Sequence, residues 1–411
     1  MSPTASSTSR NSPPPGRLEL RPNGIEPTEF LIENASLVLP DRVVENGWIA
    51  VAGGKIAEIG EGRAPERGID IAGDYLVPGL VELHTDHLEA HFAPRPHVRW
   101  HALSSVMAYD AQIAAAGITT VFDSLRAGSD ADSASIGTDL ALLASAIEEA
   151  RATGHLRVDH RTHLRCEIAC DDVIEHVEAY AALYPVDMMS LMDHTPGQRQ
   201  FKDLETWRRY YMRKKPMSDE DVNRFVSARL ELHANNAGPN RLKLVAIAAA
   251  KGAVLASHDD ATAAHAAEAV GNGVALAEFP TTLEAAEALN DAGISVIMGG
   301  PNVVRGGSHS GNVAAEDLAR AGFLDILSSD YVPASLLMSA FELPRRIPSI
   351  DLAAAIRTVT QTPARATGLT DRGAIEAGLR ADLVRVHVTG KDRERTTPIV
   401  RQVWREGQRI S

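Results

Sequence analysis

Residues 78–86 read PGLVELHTD, a Pro-Gly turn signal, a largely apolar run and then three polar side chains, His84, Thr85 and Asp86. A short apolar run opened by Pro-Gly predicts a buried strand. Alternation along a strand sends residues 84 and 86 to one side, so its end carries an imidazole and a carboxylate able to share one metal ion.

Moving outward from that run, seven more apolar segments follow at about 118–123, 160–167, 187–193, 253–257, 273–278, 294–299 and 325–329, alternating with Ala-rich helical stretches. This alternation predicts βα units and a parallel sheet. With the run at 79–84 they make eight strands, and no glycine-rich GxGxxG turn follows the first of them. The expected fold class is therefore α/β, a closed (β/α)8 TIM-like barrel in preference to an open doubly wound sheet. One connection, from about 195 to 250, is unusually long and opens with GQRQFKDLETWRRYYMRKK. Such length in a barrel serves a lid or a binding element, or else forms an amphipathic helix with a solvated basic face.

The chain ends have a different texture. Residues 30–62 (FLIENASLVLPDRVVENGWIAVAGGKIAEIGEG), 373–388 (GAIEAGLRADLVRVHV) and 399–410 (IVRQVWREGQRI) alternate short β-branched runs with Gly, Asn and Asp turns. Both ends are expected to build one small β-sandwich domain around the barrel. The predicted organisation is a disordered tail over 1–25, sandwich over 26–77, barrel over 78–370 and sandwich again over 371–411.

Hydrophobic residues at 44% and charged residues at 23% are ordinary for a soluble globular protein. The formal charge of −13 opposes non-specific binding to nucleic acid or to an anionic membrane, so any phosphate ligand needs a local basic pocket. The opening MSPTASSTSRNSPPPG has no apolar core for a signal peptide, and no later stretch is long and apolar enough for a spanning helix. Only two cysteines occur, Cys166 and Cys170, which fits a reducing cytoplasm better than a disulfide framework.

Active sites of (β/α)8 barrels sit at the C-terminal ends of the strands. The polar residues found there are His84 and Asp86, His163 and Glu167, Asp193 and His194, His258 with Asp259 and Asp260, Glu278, and Asp330. A single buried histidine is more often a hydrogen-bonded core residue than a ligand. So many carboxylates buried together would cost several kcal/mol each unless cations neutralised them. One or two divalent ions are expected, with Glu167 as a bridging carboxylate; His and carboxylate donors suit Zn, Mn or Fe.

The segments ELHTDHLEAHFAPRP, GITTVFD, HLRCE, SLMDHTPGQRQF, ASHDDAT, AEFPTT, GGPNVVRGGSHSGN, LSSDYVPASLL and DRGAIEAGLRADLV resemble the amidohydrolase superfamily, and within it the phosphonate-pathway diphosphatases, over nearly the whole chain after the tail. Many superfamily members carry His-x-His on the first strand, where this chain has His84-Thr85-Asp86. The resemblance implies metal ligands at His84, Glu167, His258 and Asp330, with Asp86, His194 and Glu278 as further candidates. Its implied reaction is hydrolysis of α-D-ribose 1-methylphosphonate 5-triphosphate to the 5-phosphate and pyrophosphate, in phosphonate catabolism. Water would attack the α-phosphorus, a divalent ion would offset phosphoryl charge, and Asp330 would accept the proton. Arg95, Arg199, Lys202, Arg305, Ser308 and His309 are the candidates for holding the polyphosphorylated ribose. Superfamily members are often dimers or tetramers, so a homo-oligomer is compatible.

Two other functions use the same residues. A deacetylase or cyclic-amide hydrolase of this superfamily would share the ligands without needing the basic Gly-Ser loop. A non-catalytic barrel scaffold would show broken strand-end positions, and here every one is filled.

Overall fold

The computed structural model describes residues 29–129, 136–199, 208, 218–308, 310–389 and 397–411. The predicted tail lies outside them. The chain starts with β1 (Phe30–Val38), β2 (Val43–Ala52), β3 (Lys55–Glu61), β4 (Ile69–Asp70) and β5 (Tyr75–Pro78). The barrel strands follow as β6 (Leu80–Thr85), β7 (Ile118–Ala127), β8 (Asp159–Glu167), β9 (Met188–Met192), β10 (Val254–His258), β11 (Leu276–Glu278), β12 (Ser295–Gly299) and β13 (Ile326–Ser328). The chain closes with β14 (Leu383–Thr389), β15 (Thr397–Arg405) and β16 (Gln408–Arg409).

All eight expected barrel strands form, in parallel and in sequence order from β6 to β13. Their inward side chains Val81, Leu83, Phe122, Met188, Ala256, Leu276, Ile297 and Ile326 fill the lower barrel as a packed core. Closure joins the last strand to the first: Thr85 pairs with Asp330 as a parallel bridge, the Asp330 amide donates to His84 O at 3.1 Å, and the Asp86 amide donates to Asp330 O at 3.2 Å. The polar end of the first barrel strand and Asp330 thus meet at the seam. Glu82, fully buried inside that seam, accepts from the His84 amide at 2.7 Å and from the Ser329 amide at 2.6 Å. Gly79 is required just before it, because a Cβ there would collide with the Thr119 side chain.

The chain ends meet in a second sheet of eight strands, where β14 pairs with β5 and so ties the C-terminal strands to the N-terminal ones. Ile32, Leu37, Ile49, Ile56, Leu76, Leu383 and Trp404 form its core. The long connection after β9 contains the 33-residue helix Asp219–Lys251, capped by Ser218 and ended by Gly252 in the left-handed conformation. Asn240 of this helix donates to Ile168 O and Cys170 O, which docks it on the loop after β8. Most of the GQRQFKDLETWRRYYMRKK segment is outside the described residues. Cys166 and Cys170 are buried free thiols, and among the described residues no helix is long and apolar enough to cross a membrane.

Outside the barrel wall, His160 is buried between Asp123, 2.9 Å from Nδ1, and Asp110, 3.4 Å from Nε2. Asp110 also pairs with Arg157 at 2.9 Å, and the Tyr109 ring lies 5.8 Å from the imidazole. Burial alone would lower the His160 pKa, but Asp123 and Asp110 outweigh it and raise it to about 9. Since the folded value lies above the unfolded one, the stabilisation is complete below about pH 6.5 and disappears as pH rises through about 9. Urea unfolding between pH 6.5 and 9.5 is expected to show wild type losing on the order of 3 kcal/mol more than His160→Gln. Parallel curves for the two proteins would contradict this.

Candidate metal centre

At the C-terminal mouth of the barrel, three residues within two positions of a strand end have left-handed backbones, Asp259 (φ 55°), Phe279 (φ 55°) and Asp330 (φ 53°). Non-glycine residues rarely adopt this conformation, and its clustering marks a place where side chains are aimed at some expense of backbone energy. Asp259 and Asp330 are thereby turned toward the histidines of β6 and β10.

Glu278, at the end of β11 and fully buried, is the hub. It accepts from His84 Nδ1 at 2.8 Å, from His258 Nδ1 at 2.9 Å and from the Ser190 hydroxyl at 2.8 Å. His163 Nε2 is 3.6 Å away. A carboxylate only accepts, so both Nδ1 atoms carry protons and each Nε2 is turned outward. His84 Nε2 is 3.7 Å from Asp86, and His258 Nε2 is 3.4 Å from Asp259. The two rings stack at 5.5 Å, and the His194 ring lies 5.5 Å from that of His258. His194 is held in turn by Glu167, whose two oxygens take its Nδ1 at 2.6 Å and its backbone amide at 2.9 Å.

The electrostatics follow from this crowding. Burial opposes ionisation of Glu278, yet the surrounding imidazoles hold its pKa well below the usual carboxylate range. Burial pushes the His163 pKa down to about 4, leaving that ring neutral. For His84, burial works against the charge but Glu278 and Asp86 prevail and raise the pKa. Burial, followed by repulsion from Asp86, raises that of Asp330.

Two groups have donor atoms close enough to hold a metal ion, His84 with His163 and Glu278, and His194 with His258 and Asp259. The buried Asp259 Oδ2 has no hydrogen-bond partner, which is costly unless a cation is to bind there. The acidic surroundings that raise the His84 pKa would equally attract a divalent ion. With Nδ1 of His84 and His258 fixed by Glu278, the outward Nε2 atoms are the free donors, in the carboxylate–histidine–metal arrangement. The residues present therefore fit a metal.

Contacts at 5.5 Å or closer, together with the backbone bonds at the seam, link His84, Asp86, Glu167, His194, His258 and Asp330. Both oxygens of Glu167, the expected bridging carboxylate, meet His194, one its ring and one its backbone amide. The expected phosphate-binding residues are less gathered. Arg199 is buried against Asp260 and Glu268, so its charge is neutralised within the protein and it braces the Asp259–Asp260 turn. Arg95 is exposed in the loop beyond β6 and Arg305 is exposed at the end of the short helix Gly300–Arg305, and Ser308 bonds to Ser310 at 3.1 Å. Lys202 and His309 lie outside the described residues. Sequence reasoning passes over Glu82, Ser190 and Arg165, which pairs with Asp86. Arg165 was detectable, since it lies between His163 and Glu167 on the same face of one strand.

The sequence profile of the amidohydrolase family matches residues 201–411. The chain is 45% identical over 384 residues, 93% of its own length and 100% of the relative's, to the alpha-D-ribose 1-methylphosphonate 5-triphosphate diphosphatase of Escherichia coli (strain K12). Among solved structures, N-acetyl-D-glucosamine-6-phosphate deacetylase from Mycobacterium smegmatis superposes with a TM-score of 0.60 at 17% identity, covering 93% of this chain and 100% of that one. N-isopropylammelide isopropylaminohydrolase from Burkholderia multivorans gives 0.58 at 19%, covering 93% and 98%. At such identities the two structures speak for the barrel fold alone.

Proposed function

The chain belongs to the amidohydrolase family, and from that premise we propose that it hydrolyses α-D-ribose 1-methylphosphonate 5-triphosphate to the 5-phosphate and pyrophosphate, a step of phosphonate catabolism. The observation that carries this reading is the 45% identity along the full length of a curated diphosphatase, joined to a barrel mouth in which Glu278 fixes two imidazoles. His84, Asp86, His194, His258, Asp259 and Asp330 would hold one or two divalent ions, Zn, Mn or Fe. Such ions offset charge on the phosphoryl oxygens and acidify water.

The chain's own residues do the rest. Asp330, whose backbone is fixed to His84 and Asp86 across the barrel seam, accepts the proton of the attacking water. The water oxygen bonds to the α-phosphorus, the bond from that phosphorus to the bridging oxygen breaks, and pyrophosphate departs. Glu278 keeps the His84 and His258 rings in one orientation throughout, and Glu167 does so for His194.

The test is phosphorus NMR of products after incubating metal-replete protein with the ribose methylphosphonate triphosphate, beside a panel of N-acetyl amino sugars and cyclic amides. Pyrophosphate together with the 5-phosphate is the expected outcome, with no amide turnover. Amide hydrolysis without pyrophosphate release would replace this reading by that of a deacetylase or cyclic-amide hydrolase.

A further inference from the structure

β7 and β8 run side by side with Ser124 opposite His163 and Arg126 opposite Arg165. Ser124 and His163 face the barrel interior, where hydroxyl and ring meet at 3.1 Å. Two residues further along, each strand returns to the same face. Arg126 and Arg165 are therefore neighbours at the mouth. The Arg165 side chain is 11% exposed and pairs with Asp86, while its buried Nε lacks a hydrogen-bond partner. Arg126 is half-buried, and both cations lower the Asp86 pKa, against the effect of its burial.

Like charges at directly opposed positions of adjacent strands are destabilising, and burial of one of them adds a desolvation penalty. Asp86 and Glu89 offset part of this charge from within the protein, and the unpartnered Arg165 Nε leaves a donor for a further anion. Guanidinium groups suit this part, because their planar donors bind phosphoryl oxygens two at a time. Resting on the diphosphatase reading above, we propose that Arg126 and Arg165 together bind the triphosphate chain of the substrate next to its reacting phosphorus. The Arg165–Asp86 contact decides which end of the substrate is held. An anion bound to Arg165 lies beside His84, Asp86 and Asp330, and the methylphosphonate end lies away from them.

The test measures kcat and KM of metal-replete wild type, Arg126→Gln and Arg165→Lys, inhibition by inorganic tripolyphosphate and by methylphosphonate, and calorimetric binding of tripolyphosphate. Each variant is expected to raise KM and weaken tripolyphosphate binding about 10- to 100-fold, with methylphosphonate inhibition changed less than about twofold and the melting temperature kept. Arg126→Gln is half-exposed, and Arg165→Lys keeps the charge facing Asp86, so both should fold. Unchanged KM and tripolyphosphate binding in both variants would overturn the proposal, as would a selective loss of methylphosphonate binding. If wild type turns the substrate over and the variants match it, only this inference falls. If wild type neither turns it over nor binds tripolyphosphate, the diphosphatase reading falls with it.

Discussion

Replacing Glu278 by Gln is expected to lower metal affinity 10- to 100-fold and to reduce turnover at least as much. The cause is geometric. An amide presents one acceptor and one donor end, whereas this carboxylate accepts from His84, His258 and Ser190 together. At least one ring must turn or change tautomer, and its Nε2 then leaves the cluster. Glu278→Ala goes further, since it strips buried imidazoles of their counter-charge, and loss of one partner of a buried pair costs about 3–5 kcal/mol. Urea unfolding and metal titration read the two effects separately. A Gln variant that binds metal and turns over like wild type would remove Glu278 from its orienting position.

Asp330→Asn is expected to reduce kcat by about 10²- to 10⁴-fold with KM little changed, the range associated with a single proton acceptor. Its backbone position is secured by the bonds to His84 and Asp86, so the variant should keep the seam closed. Metal content measured on the same preparation divides the two roles of this residue. Intact metal with lost turnover assigns it proton transfer, and lost metal assigns it ligation. Wild-type kcat in the variant would contradict both.

Much of this architecture was readable before any coordinates. The eight apolar runs became the eight barrel strands because a strand buried on both faces needs continuous apolar sequence, and that leaves a visible trace. The strand-end His, Asp and Glu residues were visible for the same reason, as abrupt polar stops. What sequence could not supply was the pairing across strands. Register and barrel closure decide that Glu278 meets both His84 and His258, and that Asp330 bridges to Thr85. Arg199 shows the same limit from the other side. Its position in a basic stretch suggested phosphate, but the fold brings Asp260 and Glu268 against it. The left-handed backbone of Phe279 had no signal at all, because an aromatic side chain ordinarily avoids that conformation, and those of Asp259 and Asp330 had only the weak one that aspartate visits it more readily than most residues.

Elemental analysis of the purified, metal-replete protein tests the central claim most directly. At least about one divalent ion per chain is predicted, falling below that in a His84→Ala, His258→Ala double variant that still folds. Wild-type protein that stays free of divalent metal under replete conditions, or a double variant that keeps its full complement, would contradict it.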